Sequence, residues 1–294
     1  MPAYENCYWE VDDLKLHYRD YAKRSGTDDG RPPILCFPGL TRNARDFAEL
    51  AERLSDEWHV LAVNFRGRGG SAAAKDPMSY LPMTYVADVL ALLDTLRIDR
   101  FVAVGTSLGG LVTMLLANVA PGRLAGALLN DVGPQIEAAG LSRIRSYVGK
   151  PQTWPTWMHA ARAAQEGNAD VYPDYGIEDW LAMAKRLYRL NSAGRVVLDY
   201  DMKIAEPFRV PGNETGADMW PALDALQGVP TLIVRGERSD VLGASVAARM
   251  AERLDQAELV TVPRVGHAPT LSEPVAIAAV DRLLKRVAKE PAIA

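Results

Sequence analysis

Ser107 lies in Gly105-Thr106-Ser107-Leu108-Gly109-Gly110, between the apolar run Phe101-Val102-Ala103-Val104 and a helical apolar run over 111–116. A Gly-x-Ser-x-Gly turn between strand and helix is a nucleophile elbow: its glycines relieve crowding and its hydroxyl stands at the tip. Serine transfers acyl groups only when a base takes its proton and an acid holds that base in the required tautomer. Asp240, in Arg238-Ser239-Asp240, and His267, in Gly266-His267-Ala268-Pro269, follow in chain order, each just past an apolar run. Asp240 is the acid expected, because it occupies the turn directly after such a run. Asp131, in Asn130-Asp131-Val132, also ends an apolar run and is the second candidate. Alone, the elbow reads equally well as a glycine-rich packing or phosphate-binding turn; the three groups in this order decide for acyl transfer.

These residues need elements to bring them together. Residues 7–11 and 14–19 alternate as an opening hairpin around Asp12-Asp13, with His17 on the polar phase and therefore expected at the surface. After a polar linker over 25–31, Pro33-Ile34-Leu35-Cys36-Phe37 reads as a central strand ending at Pro38-Gly39-Leu40. The N–H of Leu40 is the expected second oxyanion donor beside that of Leu108. Strands at 58–63, 101–104, 124–129, 231–237 and 258–262 alternate with amphipathic helices, which predicts an α/β fold with a mostly parallel sheet and helices on both faces. Carboxyl ends of parallel strands share one edge, so residues remote in sequence can meet there. Between 134 and 220 the strand signal disappears and aromatic residues gather. That segment is expected to be a helical cap on a core of 1–133 and 221–294, with Trp154, Trp157 and Tyr188 as possible substrate contacts.

Composition narrows the function. The chain has 294 residues, 48% of them hydrophobic, enough for a full core. A net charge of -4, with lysine and arginine spread along the chain, speaks against nucleic-acid partners. The start of the chain lacks a signal-like pattern and no stretch approaches spanning length, so no membrane partner and a cytoplasmic location are expected. Cys7 and Cys36 make no disulfide framework, and His17, His59 and His159 are expected to be structural or exposed. No metal and no cofactor is called for. The turn Asn64-Phe65-Arg66-Gly67-Arg68-Gly69 lacks the Lys-Ser/Thr of a phosphate loop and reads as structural, with solvated arginines.

From Tyr8 to its final helix the chain resembles the α/β-hydrolase superfamily, in its helical-cap branch of carboxylesterases, enol-lactonases and carbon-carbon hydrolases. The resemblance rests on the elbow, Pro38-Gly39-Leu40, the turn over 64–69, Arg235-Gly236-Glu237-Arg238-Ser239-Asp240 and Gly266-His267-Ala268-Pro269. It implies Ser107 as nucleophile, His267 as base and Asp240 as orienting acid, acting on a small-molecule ester or lactone. Phe37-Pro38-Gly39 replaces the His-Gly of many relatives, so hydrogen bonds made by that histidine do not carry over. Two alternatives remain: carbon-carbon hydrolysis of a ring-cleavage diketone, with Arg42, Arg45 or Arg66 on a substrate carboxylate, and a small-molecule receptor on the same scaffold. Oligomeric state is not legible.

Overall fold

The expected hairpin forms first: β1 (Glu5–Val11) pairs antiparallel with β2 (Leu14–Tyr21), and Asp12 and Asp13 turn the chain with φ of 49° and 61°. Then follow β3 (Ile34–Phe37), α1 (Ala48–Leu54), β4 (Val60–Val63), α2 (Pro82–Leu96), β5 (Phe101–Thr106), α3 (Leu108–Val119) and β6 (Leu124–Asn130). This computed structural model describes residues 3–26, 29–210 and 218–289. Residues 1 and 2, two residues of the expected linker over 25–31 and residues 211–217 of the expected cap lie outside the described residues.

After β6 come α4 (Ala138–Tyr147), β7 (Thr153–Trp154), α5 (Trp157–Asn168), α6 (Ile177–Leu187), β8 (Tyr188–Leu190) and β9 (Val196–Leu198). The strandless reading of this stretch is thus incomplete, since β7, β9 and β8 pair in a small antiparallel sheet. Strands of two or three residues are too short to display a period, and the turn joining β8 to β9 is closed by Asn191 N–H to Arg195 O at 2.9 Å. The chain ends with α7 (Trp220–Asp224), β10 (Thr231–Gly236), α8 (Ala244–Arg253), β11 (Ala257–Val262) and α9 (Pro274–Val287).

The main sheet has the order β1-β2-β4-β3-β5-β6-β10-β11, and from β4 onward every pairing is parallel. Both faces are covered, which β5 shows within four residues: Phe101 and Ala103 join the core with α2 and α3, while Val102 and Val104 join that with α1 and α9. Each such apolar side chain removed from water contributes roughly 1.5–3 kcal/mol, so the carboxyl edge where the site lies rests on strands buried on both faces.

Two surface expectations fail at the turn over 64–71. His17 is only 5% exposed, because this turn folds across β2: Ser71 Oγ accepts from His17 N–H at 2.8 Å, and a Cβ on Gly70 would stand 2.8 Å from the His17 ring. Arg66 and Arg68 are buried, not solvated. Arg66 grips Asp88 through both carboxylate oxygens, at 2.8 and 2.5 Å. Burial pushes the Asp88 carboxyl up in pKa while Arg66 opposes the rise.

Burial, and secondarily Arg19, pushes the His17 imidazole down to about 4. Hydrogen bonding agrees. Asn64 Oδ1 accepts from Ala44 N–H at 2.6 Å, which fixes its amide and leaves Nδ2 to donate to His17 Nδ1 at 2.7 Å; His17 Nε2–H donates to Asn6 Oδ1 at 2.8 Å. A proton on Nδ1 would set two donors face to face. Stability linked to His17 is therefore complete above about pH 6.5 and falls between pH 6.5 and 4, where the unfolded chain takes up a proton that the native state refuses. The loss amounts to up to about 3 kcal/mol. Calorimetric melting of His17→Gln is expected to show a flatter stability curve than wild type across this interval; parallel curves would mean that His17 titrates normally.

Candidate active site

Ser107 joins β5 to α3 with φ 53° and ψ -117°, a left-handed backbone that a serine adopts only under constraint. The constraint is crowding. A Cβ on Gly105 would strike Gly109 O, and one on Gly109 would strike Phe37 O, so strand and helix cross at glycine contact. The hydroxyl is thereby lifted above the strand ends, into a cavity at the carboxyl edge.

His267, on the loop between β11 and α9, meets Ser107 there: its Nε2 lies 3.0 Å from Ser107 Oγ. Its Nδ1 lies 2.7 Å from Asp131 Oδ2. Asp131 directly follows β6 with φ 57° and is fully buried. Its carboxylate also accepts from Gly236 N–H at 2.8 Å and Ser239 Oγ–H at 2.6 Å, both just after or at the end of β10. An ionised carboxylate only accepts, so Nδ1 carries the proton and Nε2 is left to accept from the serine hydroxyl. That is the arrangement by which a serine can lose its proton as it attacks.

The expectation that Asp240 holds His267 is corrected by this geometry. Ser239 Oγ accepts from the N–H groups of Val241 and Leu242 at 3.2 and 3.0 Å, winding the turn so that the Asp240 carboxylate meets Arg143 of α4 in a bidentate pair at 2.6 and 2.8 Å. Arg143 holds the Asp240 carboxyl below the usual carboxylate range. The sequence carries Asp131 as a strand-end acid, but nothing in it announces that a residue 97 positions before Asp240 would claim the other carboxylate.

The histidine loop is tied down on two sides. Asn130 Nδ2 donates to Pro269 O at 2.8 Å, and Tyr172 Oη, from the loop after α5, donates to Ala268 O at 2.7 Å. Neither Leu40 N–H nor Leu108 N–H donates to a described residue, and Leu40 lines the cavity beside Gly39 and Ser107. The loop after Pro38-Gly39 is held by an arginine that the sequence reading expects to be solvated. Arg68 Nε donates to Leu40 O at 2.9 Å, and its Nη1 donates to Arg66 O and Tyr85 Oη at 2.7 and 3.0 Å. Its guanidinium is packed on the rings of Tyr80 and Tyr85, so the peptide after Leu40 is held by a fully buried cation.

The cavity has a volume of about 720 Å³ and is walled by the strand-end loops on one side and by α4, α5 and α6 on the other. Of the aromatic residues expected to reach substrate, Tyr188 lines it; Trp154 and Trp157 pack instead against the apolar centre of the segment over 134–220, Trp154 with its ring 4.4 Å from that of Tyr188. Tyr147, Tyr172 and Tyr200 line the wall in their place. Arg42 and Arg45 also line it, but Arg42 is paired with Asp46 at 2.6 Å and Arg45 with Asp199 at 2.7 Å, while Arg66 is turned away toward Asp88. Among the described residues no group of three or more His, Cys, Asp or Glu could hold a metal ion, and no helix is long and apolar enough to cross a membrane.

Comparison with known proteins agrees with this architecture. Residues 34–280 match the model of the alpha/beta hydrolase family. The chain is 33% identical over 259 residues to a 3-hydroxybutyrate-oligomer hydrolase of Cupriavidus necator, covering 85% of this chain and 88% of that one. It is 28% identical to a 2-(acetamidomethylene)succinate hydrolase of Mesorhizobium japonicum, over 80% of this chain and 81% of the other. An alpha/beta hydrolase from Novosphingobium aromaticivorans, solved by crystallography, superposes with a TM-score of 0.92 at 58% identity, covering 97% of this chain and 99% of its own.

Crowding at the elbow gives a direct test. Gly109→Ala places a methyl group against the Phe37 carbonyl, with backbone on both sides and no flexible side chain to yield. It is expected to destabilise the protein by several kcal/mol, beyond the 1–3 kcal/mol typical of overpacking. A melting temperature within about 2 °C of wild type would show that strand and helix do not cross at contact.

Proposed function

The chain belongs to the alpha/beta hydrolase family, and on that footing we propose that it hydrolyses a small carboxylic ester or lactone through an acyl-enzyme on Ser107, with His267 as base and Asp131 as the orienting acid. The observation that carries this reading is the unbroken chain of hydrogen bonds from Ser107 through His267 to Asp131, at 3.0 and 2.7 Å. In the reaction Ser107 Oγ attacks the carbonyl carbon while His267 Nε2 takes its proton, and the Leu40 and Leu108 N–H groups receive the developing oxyanion. Collapse breaks the bond to the alkoxy oxygen, which leaves as alcohol with the proton from His267. Water then attacks the acyl-enzyme, gives a proton to His267, and the second collapse returns that proton to Ser107 and frees the acid. Asp131 stays ionised throughout and stabilises the imidazolium.

Residues 134–220 act in this proposal as a cap over a core of 1–133 and 221–294, so that substrate selection is made by α4 to α6 and the loops between them. The relative named for 3-hydroxybutyrate oligomers favours ester chemistry, because hydroxy acids condense through ester bonds. The three arginines expected to hold a substrate carboxylate in carbon-carbon hydrolysis, Arg42, Arg45 and Arg66, are each engaged by a carboxylate of the protein, so that reading loses those residues. A receptor role would leave the hydrogen-bonded serine and histidine without use.

Turnover of short nitrophenyl esters is expected to vanish in Ser107→Ala, and a fluorophosphonate is expected to add to Ser107 as read by intact mass. Asp131→Asn should lower kcat by about 10⁴, the loss seen when an orienting aspartate becomes its amide in a serine hydrolase. Asp240→Asn should keep kcat within about tenfold, an order-of-magnitude allowance for a group that does not touch His267. A deeper loss at Asp240 than at Asp131 would reverse the assignment of the acid.

A further inference from the structure

Six cationic side chains line the cavity from the strand-end loops and the α4–α6 side: Arg42, Arg45, Arg143, Lys150, Lys185 and Arg186. The four arginines are matched. Arg42 pairs with Asp46 at 2.6 Å, Arg45 with Asp199 at 2.7 Å, Arg143 with Asp240 at 2.6 Å and Arg186 with Glu49 at 3.6 Å. Asp46 and Glu49, the acidic residues of the lining, are thereby used. Arg19, at the margin, lies over the Tyr4 ring at 4.0 Å. Lys150, in the loop after α4, and Lys185, on α6, are different: neither ammonium meets a carboxylate or a hydrogen-bond acceptor among the described residues.

A chain of net charge -4 therefore presents a cavity wall whose acids are all neutralised and whose two ammonium groups are not. Solvated lysines on an outer surface are ordinary. Two of them on the wall of the cavity that holds Ser107 share its electrostatic field, which attracts anions and concentrates them there. Lysine is well fitted to such a wall, because its compact charge sits on a flexible stem and donates charge-assisted hydrogen bonds to a carboxylate without demanding one orientation.

Resting on the esterase reading of the same site, we infer that the natural ester is anionic, carrying a free carboxylate that Lys150 and Lys185 hold at the α4–α6 wall while the ester carbonyl meets Ser107. The substrate class is then a half-ester of a diacid or an ester whose acyl or alcohol part ends in a carboxylate. Neutral esters of equal length bind the same apolar surface and lack only this contact.

The matched pair 4-nitrophenyl hydrogen adipate and its neutral methyl ester tests the inference. Wild type is expected to favour the anionic ester by about tenfold in kcat/KM at low salt, through KM, with the preference shrinking as salt screens the wall. Lys150→Gln/Lys185→Gln should abolish the preference and leave the neutral ester within about twofold, since both lysines are exposed and neither is part of the reacting groups. A preference unchanged in the double variant, or both esters slowed alike, would overturn the carboxylate subsite. A binding measurement separates this inference from the esterase reading. Adipic acid monoamide, which is not turned over, should bind Ser107→Ala protein calorimetrically and about tenfold more weakly once both lysines are replaced. Such binding without ester turnover by wild type would reject the esterase and keep the subsite, whereas ester turnover with no lysine-dependent binding would do the opposite.

Discussion

A carboxylate with no access to water holds the working edge of this protein together. Asp131 is fully buried, and a charge so placed is tolerated only where donors surround it. Its donors come from Gly236 at the end of β10, Ser239 in the turn beyond it and His267 on the loop after β11. One residue thus fastens β6, β10 and the histidine loop at the height of Ser107. The same contacts leave His267 with a fixed tautomer, so stability of the edge and readiness of the serine rest on a single group.

Around that group the site is assembled from parts that each have a second anchor. Asn130, next to Asp131, reaches both Thr106 Oγ1 and Pro269 O, joining the elbow strand to the histidine loop. Arg68 fastens the Leu40 carbonyl from beneath while stacked on two tyrosine rings. Asn130 and Arg68 are buried, so a lost partner would leave a buried donor or acceptor unsatisfied. Dipoles fixed in this way require no reorganisation when charge develops beside them.

The sheet and the elbow were legible because they depend on local rules: apolar runs of strand length, helical periods between them, and glycines where strand and helix collide. Ser107, His267 and the two candidate acids could all be placed at strand ends for the same reason. The choice between Asp131 and Asp240 could not be made locally, since it is decided by Arg143, which belongs to α4 and reaches back across the edge. His17, Arg66 and Arg68 were misplaced on the same ground. A polar residue in an alternating strand or a glycine-rich turn reads as solvated, and only the fold reveals that Asn64, Asp88 and the Leu40 carbonyl wait for these side chains. Short strands such as β7 and β9 leave no period to detect, and the reach of Tyr188 as against Trp154 depends on how α5 and α6 pack.

Tyr172 donates to the carbonyl of Ala268, the residue after the histidine, and Val171 O accepts from Gly266 N–H at 2.9 Å, just before it. Both belong to the loop that joins α5 to α6 on the far wall of the cavity. The α5–α6 side of the cavity and the loop that carries His267 are therefore joined by hydrogen bonds on both sides of the imidazole. Two hydrogen bonds flanking the imidazole thus transmit any displacement of this loop to the contact between His267 Nε2 and Ser107 Oγ.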